Sequence, residues 1–180
     1  MPNVFLHRPT AESLERIGAV RRFLKIWTPA LFGVAIVATE STTTFSSANT
    51  SYWLRPIVES LIGHVSTPAF EEFHHLLRKT GHFTFYGLLC VLFVRGWLLT
   101  FARDASLRTT VWRWRSWAAG MLSVFLVASA DELHQSFLPS RTGLFSDVLL
   151  DTSGGLVLSA VVMGFGWWIR RSRVSAVVVV

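Results

Sequence analysis

Within five positions of the run ADELHQSF, the chain places an acid pair, an imidazole and an amide: Asp131, Glu132, His134 and Gln135. Asp131 and His134 are three residues apart, so a single helical turn presents a carboxylate with an imidazole. That pairing suits general acid–base chemistry. Arg141, Asp147 and Asp151 follow, and Lys79, His82 and Tyr86 lie upstream. Lys79 and Arg141 are the types that hold an anionic phosphate. Carboxylates and imidazoles also ligate divalent metals, but this spacing is not a recognised metal motif. The sequence assigns no metal ligand and requires no cofactor, a divalent metal being the one that the donor types would admit.

Each residue also has an ordinary structural explanation. Asp147 and Asp151 fall in the first turns of an expected helix, where the macrodipole favours carboxylates by about 0.3–1 kcal/mol. Ser146 suits the N-cap, and Glu132 and Gln135 suit a helix exit into water. A shared site is expected only if the elements bring these groups to one depth.

Those elements are membrane helices. Of 180 residues, only 16% are charged, against about 25% in ordinary soluble domains. Mean hydropathy is +0.45, with 8 Trp and 14 Phe. The apolar residues come in blocks near bilayer length, at about 24–45, 82–101, 116–133 and 147–169. About 20 residues at 1.5 Å each cross roughly 30 Å of hydrocarbon. The expected fold is therefore all-α and polytopic, with four transmembrane helices, the third being the weakest. A cleaved signal peptide is not expected despite Ser46-Ser47-Ala48, because the approach is long and Glu40 with a Thr run interrupts the apolar region. The single cysteine, Cys90, lies in an apolar run and forms no intramolecular disulfide.

Basic residues set the direction. The segments before the first span, between the second and third, and after the fourth carry twelve Lys and Arg, against Arg55, Lys79, Arg78 and Arg141 on the other side. This asymmetry predicts cytoplasmic segments at 1–23 and 170–180 around a membrane domain at 24–169, with both termini cytoplasmic. The net charge of +6 flanks apolar blocks and forms no stripe, so no nucleic-acid partner is expected. In the first outer loop, Thr67-Pro68 opens a short stretch with Phe70, Phe73, Leu76 and Leu77 on one face, which predicts a short interfacial helix. Under this topology every span delivers polar groups to the outer leaflet. Ionisable groups at the bilayer centre cost about 2.5–3.5 kcal/mol on insertion scales, which favours an outward polar pocket that pairs or hydrates them.

The same residues carry a family resemblance. Lys79, His82 and Tyr86 fit a Lys-x-x-His-x-x-x-Tyr start to the second span, followed by the D-E-x-H-Q run, Pro139-x-Arg141, Asp147 and Asp151-Thr152-Ser153-Gly154. The chain resembles the VanZ-like family of small bacterial membrane proteins, whose namesake is linked to teicoplanin resistance. Asp151 stands where the family more often has Asn, and residues 1–25 have no family counterpart. The resemblance implies an inner-membrane protein of the cell envelope and a link to glycopeptide tolerance, without implying that this chain confers resistance.

Two functions follow. In the first, the pocket binds, or alters access of, a lipid, a lipid-linked envelope precursor or a lipoglycopeptide. In the second, Asp131 or Glu132 with His134 acts as the acid–base pair of an intramembrane enzyme on a lipid-linked substrate. A channel is not expected from one chain, since the apolar inner halves leave no polar path; the sequence sets no oligomeric state.

Overall fold

A computed structural model describes residues 3–16 and 18–178, with side chains described through Ser172. The described residues form helices and turns, with no strand among them. After a short helix α1 (Ala11–Glu15) come α2 (Ala19–Glu40), a 3-10 turn at Thr43–Phe45, α3 (Ser47–Ile62), α4 (Thr67–Phe101), α5 (Thr109–Ser136) and α6 (Phe145–Val178). Gly63 ends α3 at φ +85°, a left-handed conformation that a side chain would strain.

Three helices are long and apolar enough to cross a membrane: Ala19–Glu40, Thr67–Phe101 and, within α6, Phe145–Ser172. The fourth expected span is not among them. Between Arg115 and Asp131–Glu132, the charge-free stretch in α5 is 116–130, about 22 Å of helix. Charge therefore encroaches on both ends of α5 before it reaches a bilayer's width. The expected short interfacial helix is likewise not a separate element. From Thr67 the chain runs unbroken through Phe101, and the residues assigned to that helix are the first turns of α4.

The core is built around α4. Leu89, Cys90, Val94, Leu98 and Leu99 of α4 are buried against Ile26, Ala30 and Val37 of α2 and Trp112, Val124 and Ala128 of α5. On α5 the buried side repeats as Trp112, Ser116, Gly120, Val124 and Ala128 and then Asp131, close to one residue per turn. Its opposite side shows Trp114, Leu122, Leu126 and Leu133 outward. The outer faces of α2 and α6 are equally apolar, with Leu31, Phe32, Val161 and Phe165 exposed.

Small residues let the helices close. A Cβ on Gly154 of α6 would overlap the carbonyl oxygen of Phe83 on α4, so the two backbones touch there. Gly120 of α5 does the same against Val94, whose backbone nitrogen would stand 2.9 Å from an added Cβ. Gly164 also lies in α6, yet nothing stands within 4 Å of its added Cβ, so close packing does not account for it.

The basic segments gather at one end. Arg8 donates to the Leu107 carbonyl at 2.7 Å and lies over the Trp112 ring, with its carbon 5.3 Å from the centroid. Arg113 donates to the Phe5 carbonyl at 2.8 Å. Trp112 is fully buried and its Nε1 donates to the Leu98 carbonyl at 2.9 Å. The segment before α2 is thus docked on the α4–α5 turn, which gives Arg8 a structural role.

Candidate functional site

At the other end of the bundle, α4, α5, α6 and the α5–α6 loop enclose a polar cavity of about 190 Å³. Of the residues singled out in sequence, Lys79, His82, Glu132, Gln135, Arg141, Asp147 and Asp151 line it. Tyr86 and Asp131 lie beside it and meet each other, the Tyr86 hydroxyl donating to Asp131 Oδ2 at 2.8 Å. His134 is not brought in. It points toward α2, where its Nδ1 is 2.8 Å from Ser41 Oγ.

Helix geometry explains that exception. At about 100° per residue, Gln135 lies about 40° from Asp131 and Glu132 about 100° from it on one side, with His134 about 60° away on the other. Asp131, Glu132 and Gln135 are accordingly buried while His134 is exposed. The expected Asp131–His134 acid–base pair has no hydrogen bond in the structure, and Glu132 and His134 face nearly opposite directions.

The charged groups of the cavity divide into engaged and free. Lys79 Nζ donates to Asp147 Oδ1 in an ion pair that ties α4 to α6. Arg141 is spent on backbone: its Nη2 donates to the carbonyls of Glu40 at 2.5 Å and Thr42 at 2.9 Å. The Glu40 carboxylate is exposed, so α2 enters the site through its carbonyl. Glu132 accepts the backbone N–H of Leu144 at 2.9 Å, which folds the α5–α6 loop over the cavity. His82 Nδ1 lies 3.5 Å from Asp151 Oδ2.

Two residues were missed by reading motifs alone. His75 and Arg78 also line the cavity. With Lys79 and His82 they form an i, i+3, i+4, i+7 series on α4, a stripe that helical periodicity would have found. Arg78 makes no hydrogen bond or ion pair among the described residues. It also lines an adjoining space of about 360 Å³ toward α2 and α3, shared with His82 and Arg141. The cavity thus has a cationic rim at Arg78 and an acidic floor at Glu132, Asp147 and Asp151.

A larger groove of about 570 Å³ lies near the basic end, between Trp114, Trp117, Met163 and Trp167. Its walls are mostly apolar and suit acyl chains better than chemistry.

A family model described as VanZ/LLP1 matches residues 23–166. Comparison with curated proteins and with solved structures gave no match.

Proposed function

Because the chain belongs to the VanZ/LLP1 family, we propose that it is a multi-pass protein of the bacterial cytoplasmic membrane whose outward polar cavity receives the anionic headgroup of an envelope amphiphile. Both termini are cytoplasmic in this reading, with 1–23 and 170–180 flanking a membrane domain at 24–169. The gathering of basic segments at the end opposite the cavity supports it. So does the outward apolar stripe of α5, which lets that helix serve as the fourth span while α4 and α6 cover its polar face. The α3 helix and the first turns of α4 then lie at the outer surface, where Trp53, Ile57, Leu76 and Leu77 are exposed to the interface.

Orientation is checked by labelling single cysteines with an impermeant reagent from outside the cell. Ser136→Cys is expected to react and Ser106→Cys is not. The reverse pattern inverts the protein and places the cavity in the cytoplasm.

The single observation that carries the function is Arg78, a cation at the cavity rim with no hydrogen-bond or ion-pair partner among the described residues. A headgroup phosphate or carboxylate supplies that partner while its tail stays in the leaflet. A lipid-linked envelope precursor and a lipid-tailed glycopeptide such as teicoplanin both have this form. With the chain reconstituted in vesicles, Arg78→Ala is expected to weaken binding of a polyprenyl phosphate or of teicoplanin about tenfold, the loss of roughly one charge-assisted hydrogen bond. His134→Ala, on the α2 side, leaves the affinity unchanged. Wild-type affinity of Arg78→Ala for both amphiphiles would sink the proposal, and a response to only one identifies the ligand.

A further inference from the structure

The headgroup reading leaves unused His82 and Asp151 of the cavity and Asp131 beside it. We infer that His82, Asp131 and Asp151 bind one divalent transition-metal ion of the Zn2+ class. Each offers a ligand atom, and the three atoms lie within 4.8 Å of one another. They come from α4, α5 and α6, so no short sequence motif announces them.

The site stands first on unmet polar groups. Asp151 is completely buried, and neither of its carboxylate oxygens accepts a hydrogen bond among the described residues. Asp131 is 7% exposed, and its Oδ1 is also without a partner. An ionised carboxylate taken out of water needs a cation or hydrogen bonds to offset its lost hydration. The nearby cations do not answer them: Lys79 is held by Asp147, and Arg141 by the carbonyls of Glu40 and Thr42. His82 approaches Asp151 only to 3.5 Å, long for a hydrogen bond. A dication between the three groups offsets both carboxylates at once.

Geometry and donor chemistry agree. Ligand atoms about 2.1 Å from a tetrahedral ion are about 3.4 Å apart, close to the His82–Asp151 separation. One imidazole with two carboxylates favours a borderline ion such as Zn2+ over Ca2+ or Mg2+. Tyr86 holds Asp131 by Oδ2 at 2.8 Å and leaves Oδ1 to ligate, the outer-shell arrangement usual at metal sites. Three protein ligands leave a position open toward the cavity, which His82 and Asp151 also line. If the headgroup reading holds, a phosphate oxygen fills it; the metal site itself does not depend on that reading.

The test is equilibrium dialysis of Zn2+ against the full chain, purified in detergent and stripped with a chelator. Wild type is expected to bind one Zn2+ per chain. Asp131→Asn, Asp151→Asn and His82→Gln each weaken binding at least tenfold, and Tyr86→Phe weakens it severalfold. Asp147→Asn and Glu132→Gln, in the same cavity, change it less than twofold. If Asp151→Asn does not fold, the partly exposed His82 carries the comparison. No stoichiometric Zn2+ on wild type, or wild-type affinity in both His82→Gln and Asp131→Asn, overturns the site and leaves a His82–Asp151 ion pair in its place. Arg78-dependent amphiphile binding by the metal-free protein then shows that only the metal inference failed. Zinc binding without any effect of Arg78→Ala shows the converse.

Discussion

Gly154→Val is expected to cost about 3 kcal/mol or more of folding free energy and to take the cavity apart. An added Cβ overlaps the Phe83 carbonyl oxygen and stands 3.1 Å from the Phe83 Cα. Both obstructions are α4 backbone, which has no rotamer to relieve the clash, so α6 must move as a unit. Within membranes this loss is severe, because close backbone approach and its dispersion contacts drive helix association there. The effect reaches the site because Asp151 and Asp147 lie one and two turns before Gly154 on α6, and His82 and Lys79 are one residue and one turn before Phe83 on α4. Displacing α6 therefore opens the His82–Asp151 approach and the Lys79–Asp147 bond together. Thermal unfolding in detergent measures the first effect and Zn2+ or amphiphile binding the second. Gly164→Ala is the control: its Cβ meets nothing within 4 Å, and it is expected to be neutral or slightly stabilising. Equal Tm values for wild type and Gly154→Val would show that α4 and α6 do not close at this point.

The extent to which this could be read from sequence follows from what lipid does to hydrophobic patterns. Apolar runs placed the spans at 24–45, 82–101 and 147–169 close to where helices occur, because length and hydropathy alone decide those. Rotation is another matter. Lipid tails are as apolar as a protein interior, so the two faces of a membrane helix need not differ in hydrophobicity. Lys79, His82 and Asp147 were legible because charge itself marks the inward face. His134 lies off the packing face, which the acid–imidazole spacing alone does not reveal. The small residues Ser116, Gly120 and Ala128 mark that face, continue it to Asp131, and leave His134 off it. The His82–Asp131–Asp151 group lies beyond any local reading, since its members meet only when three helices separated in sequence pack together. Helix α5 stands between these cases: its flanking charges shorten its apolar run, and the polar face they belong to is covered by α4 and α6.

Lys79→Ala is expected to destabilise the fold by about 2 kcal/mol. Removing one member of a fully buried ion pair costs about 3–5 kcal/mol, because the other is left as an uncompensated charge. Here the side chains are 30% and 22% exposed, so water screens part of that cost. Among the described residues, Asp147 would keep the Ser146 hydroxyl at 3.3 Å as its side-chain partner. Asp147→Asn is expected to cost less, about 1 kcal/mol, since Lys79 has a flexible stem that can carry its ammonium to water. Lys79→Met combined with Asp147→Asn leaves no stranded charge and should approach wild-type stability, so the cycle through the single variants Lys79→Met and Asp147→Asn yields a coupling close to the sum of their two losses. Unfolding midpoints of the four proteins give that coupling directly, and additive losses would show that the pair contributes nothing. The cycle also bears on function. Because Asp147 occupies Lys79, the amphiphile is left to Arg78, so the double variant, which strands no anion in the cavity, should keep its amphiphile affinity, unlike Arg78→Ala. A fall in affinity with the double variant, at temperatures where the protein stays folded, would return Lys79 to the binding set and make its bond to Asp147 the one that a ligand must break.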